Sequence, residues 1–160
     1  VIENDKSITL IPSDNIKPVN VVTDIYPGFP TDLQAQWVVL MAIADGESTV
    51  KDTIYIDRFS HIPELIRLGA SISLNDNIAH INGVSYLYGA EVMSTDIRAS
   101  ASMILGAIAA HGTTSLSRIY HIDRGYENIE KKLNSIGVDI KRVNDWYNLL
   151  QKIIIKYLYK

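Results

Sequence analysis

Gly28-Phe29-Pro30-Thr31-Asp32-Leu33-Gln34-Ala35-Gln36 is the stretch from which the rest of the chain can be read. Thr31 followed three residues later by Gln34 is a capping-box pattern, which predicts a helix start here. Asp32 then falls in the first turn, where the helix dipole favours a negative charge. Pro27, Gly28 and Pro30 form the loop before it, and loops at helix starts often carry function. Taken alone, Asp32 needs no role beyond steadying the helix. The second half of the chain changes this reading. Thr95-Asp96-Ile97-Arg98 again opens a long apolar helix after a strand. Two matching carboxylates at two matching helix starts point to one architecture used twice.

Working outward, three landmarks pair up in the same order. Thr31-Asp32 pairs with Thr95-Asp96, Asp57-Arg58 with Asp123-Arg124, and Leu68-Gly69-Ala70 with Ile136-Gly137-Val138, all about 65 residues apart. The pattern predicts an internal repeat of the form β-α-β-α-β-β, one copy over about 17–82 and the next over about 83–145. Within the first copy, strands are expected at 8–11 and 19–22, and a helix over about 32–44 with Leu33, Trp37, Leu40, Met41 and Ala44 on one face. A β-rich run at 48–56, a helix at about 61–68 and a hairpin at 70–74 and 78–81 follow. In the second copy the expected order is a strand at 90–93, a helix to about Ala110, a strand at 113–119, a joint at 120–125, a helix at about 126–136 and a last strand at 138–143.

The helix Ala99-Ser100-Ala101-Ser102-Met103-Ile104-Leu105-Gly106-Ala107-Ile108-Ala109-Ala110 is apolar almost all round, which predicts burial on every side. Central helices with sheets outside fit this pattern; parallel strands inside are the alternative. The tail, 146–160, is apolar with spaced lysines and breaks the repeat. It reads as an amphipathic helix that packs on the domain or on a partner, as a membrane-surface helix, or as an aggregation-prone strand around its three isoleucines.

Composition narrows the function classes. The chain has 160 residues, 47% apolar and 21% charged, an ordinary composition for one soluble domain. A net charge of -3 gives no electrostatic case for a nucleic-acid partner. The absence of cysteine removes a disulfide framework, a thiolate nucleophile and a thiolate metal site. It fits a reduced, cytoplasmic setting. The four histidines, His61, His80, His111 and His121, show no metal-ligand spacing, so no metal and no cofactor are expected. No stretch reaches the roughly 18 apolar residues that a transmembrane helix needs. Val1 to Lys6 has neither an initiator Met nor a signal-peptide pattern, and the chain reads as a piece of something longer.

Four stretches together resemble the enolpyruvyl transferase family. They are Phe29 to Gln36; Arg58-Phe59 through His61, Pro63, Glu64 and Leu65; Thr95 to Ser102; and Arg118-Ile119-Tyr120-His121-Ile122-Asp123-Arg124-Gly125-Tyr126-Glu127. The last two are long and specific. The similarity is greatest to the branch that begins peptidoglycan precursor synthesis in bacteria, whose substrates are phosphoenolpyruvate and UDP-N-acetylglucosamine. The resemblance implies an inside-out α/β barrel of β-α-β-α-β-β units with helices at the centre, three units in each of two halves and the active site between them. This chain matches about two units of one half. The missing N-terminal half, with its phosphoenolpyruvate loop, cysteine and lysine, is then an implied partner, and the chain alone is expected to be inactive.

The resemblance also assigns roles. Asp32 matches the aspartate that contacts the sugar 3-hydroxyl and is proposed as general base. Asp96 matches a second aspartate near the reacting carbon, with Arg98 following in the same turn as a substrate-binding residue. Arg124 matches the arginine that grips the phosphoenolpyruvate carboxylate, for which a guanidinium fork is suited. Ile54 matches a position that contacts the nucleotide sugar through its backbone. One departure stands out: Ile56 replaces the glutamate usual before this Asp57-Arg58-Phe59, which weakens any network through Arg58 or Arg98. The rival expectation is a non-catalytic chain, either a remnant or one subunit of a split enzyme, that only folds, binds nucleotide sugar or pairs with the missing half.

Overall fold

A computed structural model describes residues 1–13, 15–145 and 150–157. The chain opens with a hairpin, β1 (Ile2–Asn4) and β2 (Ser7–Thr9). Then come β3 (Val21–Val22), a 3₁₀ turn (Thr31–Leu33), α1 (Gln34–Ala42), β4 (Glu47–Lys51), α2 (Ile62–Arg67), β5 (Ser71–Asn75) and β6 (Ile78–Asn82). The second half holds β7 (Leu87–Tyr88), β8 (Glu91–Met93), α3 (Ile97–Ala109), β9 (Ala110–His111), β10 (Thr113–Ser117), α4 (Tyr120–Asp123), α5 (Ile129–Asn134), β11 (Asp139–Asp145) and β12 (Leu150–Lys156).

Two four-stranded sheets share one path. The first runs β3-β4-β6-β5 and the second β8-β10-β12-β11, each with its first pair parallel and the others antiparallel. The parallel pairs also match in register. The amide of Thr23 donates to the Lys51 carbonyl at 2.9 Å, and that of Ser94 to the Ser117 carbonyl at 3.1 Å. Helices α1 and α3 pack against each other, α1 also on β4 and β6, and α3 on β8, β10 and β12. The helices thus lie between two sheets. Both sheets are open among the described residues, and no closed barrel forms.

Gly106 explains how closely the helices approach. A Cβ there would lie 3.1 Å from a Leu68 methyl and 3.4 Å from one of Leu65, so α2 packs where a side chain would otherwise stand. Burial of α3 is wide but incomplete: Ala99, Ser100, Met103, Ile104 and Ala107 are buried, whereas Leu105 is 44% exposed. For α1 the expected face is right in part: Met41 and Ala44 are buried and Trp37 packs against the core. Leu33 and Leu40 are exposed, and Ala35, Val38, Val39, Met41 and Ala42 form the core side. The 3₁₀ turn before α1 changes the rotation of the helix, which a count of 3.6-residue turns from Asp32 does not capture.

The strands of the first copy lie at 47–51 rather than 48–56, and residues 52–58 form a loop. The strand expected at 8–11 is the β1–β2 hairpin at 2–9. The joint at 120–125 contains the short helix α4, and the helix after it is confined to Ile129–Asn134.

The tail is corrected most. Residues 146–149 and 158–160 lie outside the described residues, but Leu150–Lys156 is a strand and not an amphipathic helix. It inserts between β10 and β11, where β6 sits in the first sheet. Ile153 and Ile155 are fully buried, and Tyr157 stacks on His111 with ring centroids 4.7 Å apart. The β-branched run suits a strand paired on both sides.

Candidate active site

The site begins with a capping box that does not form. Pro30 holds the N-cap position of the 3₁₀ turn, and no side chain caps it. The Thr31 hydroxyl instead donates to an Asp52 carboxylate oxygen at 2.6 Å. Gln34 is buried, with neither side-chain nitrogen nor oxygen hydrogen-bonded. A buried carboxylate draws the threonine proton more strongly than a backbone carbonyl would, because a charged acceptor makes the stronger bond.

Asp32 is thereby left facing outward, its side chain 65% exposed. Two arginines hold one of its carboxylate oxygens. Arg98 Nε from α3 lies 2.5 Å away, and Arg58 Nη1 from the loop after β4 lies 3.0 Å away. The Arg98 hydrogen bond holds the Asp32 carboxyl below its ordinary value; burial opposes it, and the charges of Arg98 and Arg58 add to the lowering. The Arg58 guanidinium also lies 4.5 Å over the Tyr55 ring.

Asp96 occupies a true N-cap. Its carboxylate accepts the amides of Arg98 at 2.8 Å and Ala99 at 3.0 Å, and the Ser60 hydroxyl at 3.2 Å. Burial pushes this carboxyl up, but those amides, Ser60 and nearby His61 together hold it below the ordinary value. The two helix starts are therefore not equivalent: Asp96 caps, and Asp32 pairs with cations. Capping fixes the first turn of α3 and so aims Arg98 at Asp32.

His61 is buried beneath this corner with its Nε2 unpartnered, stacked on Phe59. Burial lowers its pKa to about 4, against an upward pull from Asp96. It is neutral at pH 7.

Arg124 follows α4 and is exposed, with no ion pair among the described residues. Gly125 sets its place. A Cβ at Gly125 would overlap the Ile97 side chain, so this turn lies against the start of α3. Asp123, its neighbour, is taken by Arg142 through two hydrogen bonds of 3.0 and 2.7 Å. Ile54 lies in the 52–58 loop, 42% exposed, with its amide donating to Asp52 at 3.0 Å. Ile56 is 61% exposed.

The geometry thus joins Asp32, Arg98 and Arg58, with Asp96 one turn away, and packs the Arg124 turn against the same end of α3. Sequence reading missed Thr23 and Asp52. Their signal is faint: each is the first polar residue after one of two adjacent parallel strands, where such sheets place their sites. An open groove of about 510 Å³ lies elsewhere, on the first sheet beside Asn20, Glu47, Thr49 and His80, and does not border Asp32.

The family model for EPSP synthase (3-phosphoshikimate 1-carboxyvinyltransferase) matches residues 1–133. This chain belongs to the EPSP synthase family. A UDP-N-acetylglucosamine 1-carboxyvinyltransferase of Aliarcobacter butzleri is 52% identical over 143 residues, covering 89% of this chain and 34% of that protein. One of the same name from Hydrogenovibrio crunogenus is 54% identical over 145 residues, covering 90% and 35%. The chain therefore spans about a third of the length of the curated relatives it matches. Among solved structures, the enolpyruvyl transferase NikO from Streptomyces tendae superposes with a TM-score of 0.72 at 29% identity, over 79% of this chain and 29% of that one. EPSP synthase from Acinetobacter baumannii gives 0.62 at 14% identity, over 90% and 31%, which bears on the fold alone. No helix among the described residues is long and apolar enough to cross a membrane.

Proposed function

We propose that this chain forms one wall of the active site of a UDP-N-acetylglucosamine 1-carboxyvinyltransferase. The complete enzyme moves the enolpyruvyl group of phosphoenolpyruvate to the 3-hydroxyl of UDP-N-acetylglucosamine and releases phosphate, the first committed step of peptidoglycan synthesis, in the cytoplasm. The observation that carries this reading is Asp32 held by Arg98 and Arg58 at the heads of two central helices, in a chain about half identical to relatives of that name. The segments that follow β3 and β4 carry exposed apolar side chains, among them Ile25, Tyr26, Leu33, Ile54 and Tyr55, which suits a surface completed by the other half of the enzyme.

The reaction breaks the carbon–oxygen bond to phosphate and forms one from the sugar hydroxyl to the same carbon. The hydroxyl must give up its proton. Asp32 accepts that hydrogen bond and then the proton. Clamped by two arginines it is a weak base. Phosphate and carboxylate groups of the substrates compete for the same guanidinium groups, and each arginine drawn away makes Asp32 more basic. Arg124, which has no ion pair among the described residues, receives the phosphoenolpyruvate carboxylate through two parallel hydrogen bonds. Asp96 fixes the start of α3, and the backbone at Ile54 lies along the sugar.

Asp32→Asn, in enzyme reconstituted from this chain and the missing half, tests the assignment. Turnover falls about 10²-fold or more if Asp32 handles the proton. Near-normal turnover removes it from the chemistry.

A further inference from the structure

We propose that Asp52 is a positioning residue for Asp32, acting through Thr31 and Arg58; this rests on the reading of Asp32 as the site's proton acceptor. Asp52 is fully buried. Among the described residues it forms no ion pair, which is costly for a buried carboxylate unless hydrogen bonds fill its acceptor sites. Four do. One oxygen takes the Thr23 hydroxyl at 2.8 Å and the amides of Ile54 and Tyr55 at 3.0 and 2.8 Å. The other takes only Thr31. Burial pushes the carboxyl up, and the bonds from Thr31, Tyr55, Thr23 and Ile54 together hold it below the ordinary value. It is ionised and can only accept.

That fixes a direction. Thr31 has one proton and gives it to Asp52, so its oxygen is left to accept. Arg58 Nη1 donates to that oxygen at 3.1 Å, and the same nitrogen donates to Asp32 at 3.0 Å. Asp52 therefore sets the direction at Thr31, and Arg58, which can only donate, joins that oxygen to Asp32. Asp52 also pins the amide of Tyr55, whose ring lies under the Arg58 guanidinium. Two of the contacts that hold Arg58, Thr31 and the Tyr55 ring, thus depend on one carboxylate.

The second sheet shows that the fold does not require this hub. In the matched register Ser94 stands at the place of Thr23 and Arg118 at the place of Asp52. The Ser94 hydroxyl is buried without a partner, and Arg118 has a left-handed backbone with φ of 56°. The path of the sheet is the same, and at this register position the buried carboxylate is present only in the first sheet.

The charged groups that face Asp32 are Arg98 on α3 and Arg58 on the loop after β4. Asp52→Asn keeps an oxygen for the three donors but turns an N–H toward Thr31. The threonine must then accept from it, and its own proton opposes Arg58. Thr31→Val breaks the same link without touching the buried carboxylate, and Thr31→Ser restores it. The experiment is a carbon-13 NMR titration of the Asp32 side-chain carboxyl in this chain, with urea unfolding recorded for each variant. The Asp32 pKa rises toward the ordinary aspartate value in Asp52→Asn and Thr31→Val, and Thr31→Ser titrates as wild type. A folded Thr31→Val with unchanged Asp32 titration overturns the proposal, even if Asp52→Asn fails to fold. No substrate is present, so the outcome is independent of whether the assigned reaction is correct.

Discussion

Replacing Asp96 by Ala removes the acceptor of two amides at the start of α3, those of Arg98 and Ala99 at 2.8 and 3.0 Å. Loss of such a cap costs about 1–2 kcal/mol. The Ser60 bond is half-exposed and adds little. At about 2–4 °C per kcal/mol for a chain of this size, Tm falls by roughly 2–8 °C. Asp96→Asn retains an oxygen for the amides and loses mainly the charge–dipole term, about 0.3–1 kcal/mol, so it lies much closer to wild type. Because the folded-state pKa of Asp96 lies below its unfolded value, the stabilisation is present above about pH 4 and is lost as pH falls through the folded value. The gap between wild type and Asp96→Ala therefore narrows in acid. Thermal unfolding followed by circular dichroism at pH 7 and at pH 3 measures all of this. If Asp96→Asn unfolds as early as Asp96→Ala, or Asp96→Ala matches wild type, the capping argument is wrong, and with it the explanation of how Arg98 is aimed.

Ile153→Ala opens a cavity in a fully buried strand and costs about 2–5 kcal/mol in urea unfolding; no loss would mean that the tail is not part of the sheet. His61 has a folded pKa near 4, below the unfolded value, so stability falls as pH drops from about 6.5 toward 4, by up to about 1.4 kcal/mol per pH unit. His61→Phe flattens that part of the pH profile. Gly125→Ala drives a methyl into Ile97, costs about 1–3 kcal/mol and displaces Arg124, so reconstituted enzyme loses affinity for phosphoenolpyruvate more than for the nucleotide sugar.

The repeat was legible because its punctuation is local. Gly69 and Gly137 both take positive φ after a helix, and Asp96 is an N-cap with an ordinary cap sequence. The capping box at Thr31 misled because its rival partner, Asp52, lies 21 residues away, and nothing local records a buried carboxylate. The tail stayed open between helix and strand for a similar reason. An apolar run with spaced lysines fits a helix or a strand, and the partners that decide, β10 and β11, are set by the sheet. The arginines on Asp32 come from Arg58 and Arg98, 26 and 66 residues away, which the resemblance placed near the site but not on that carboxylate.

If this chain supplies a competent wall of an enolpyruvyl transfer site, phosphate release from phosphoenolpyruvate and UDP-N-acetylglucosamine will show it. The assay is run on this chain alone, and on this chain mixed with the part of the Hydrogenovibrio crunogenus relative that lies outside the matched segment. Release is expected in the mixture and none from the chain alone. No release from a mixture in which both parts are folded and associated, or release from the chain alone, would contradict it.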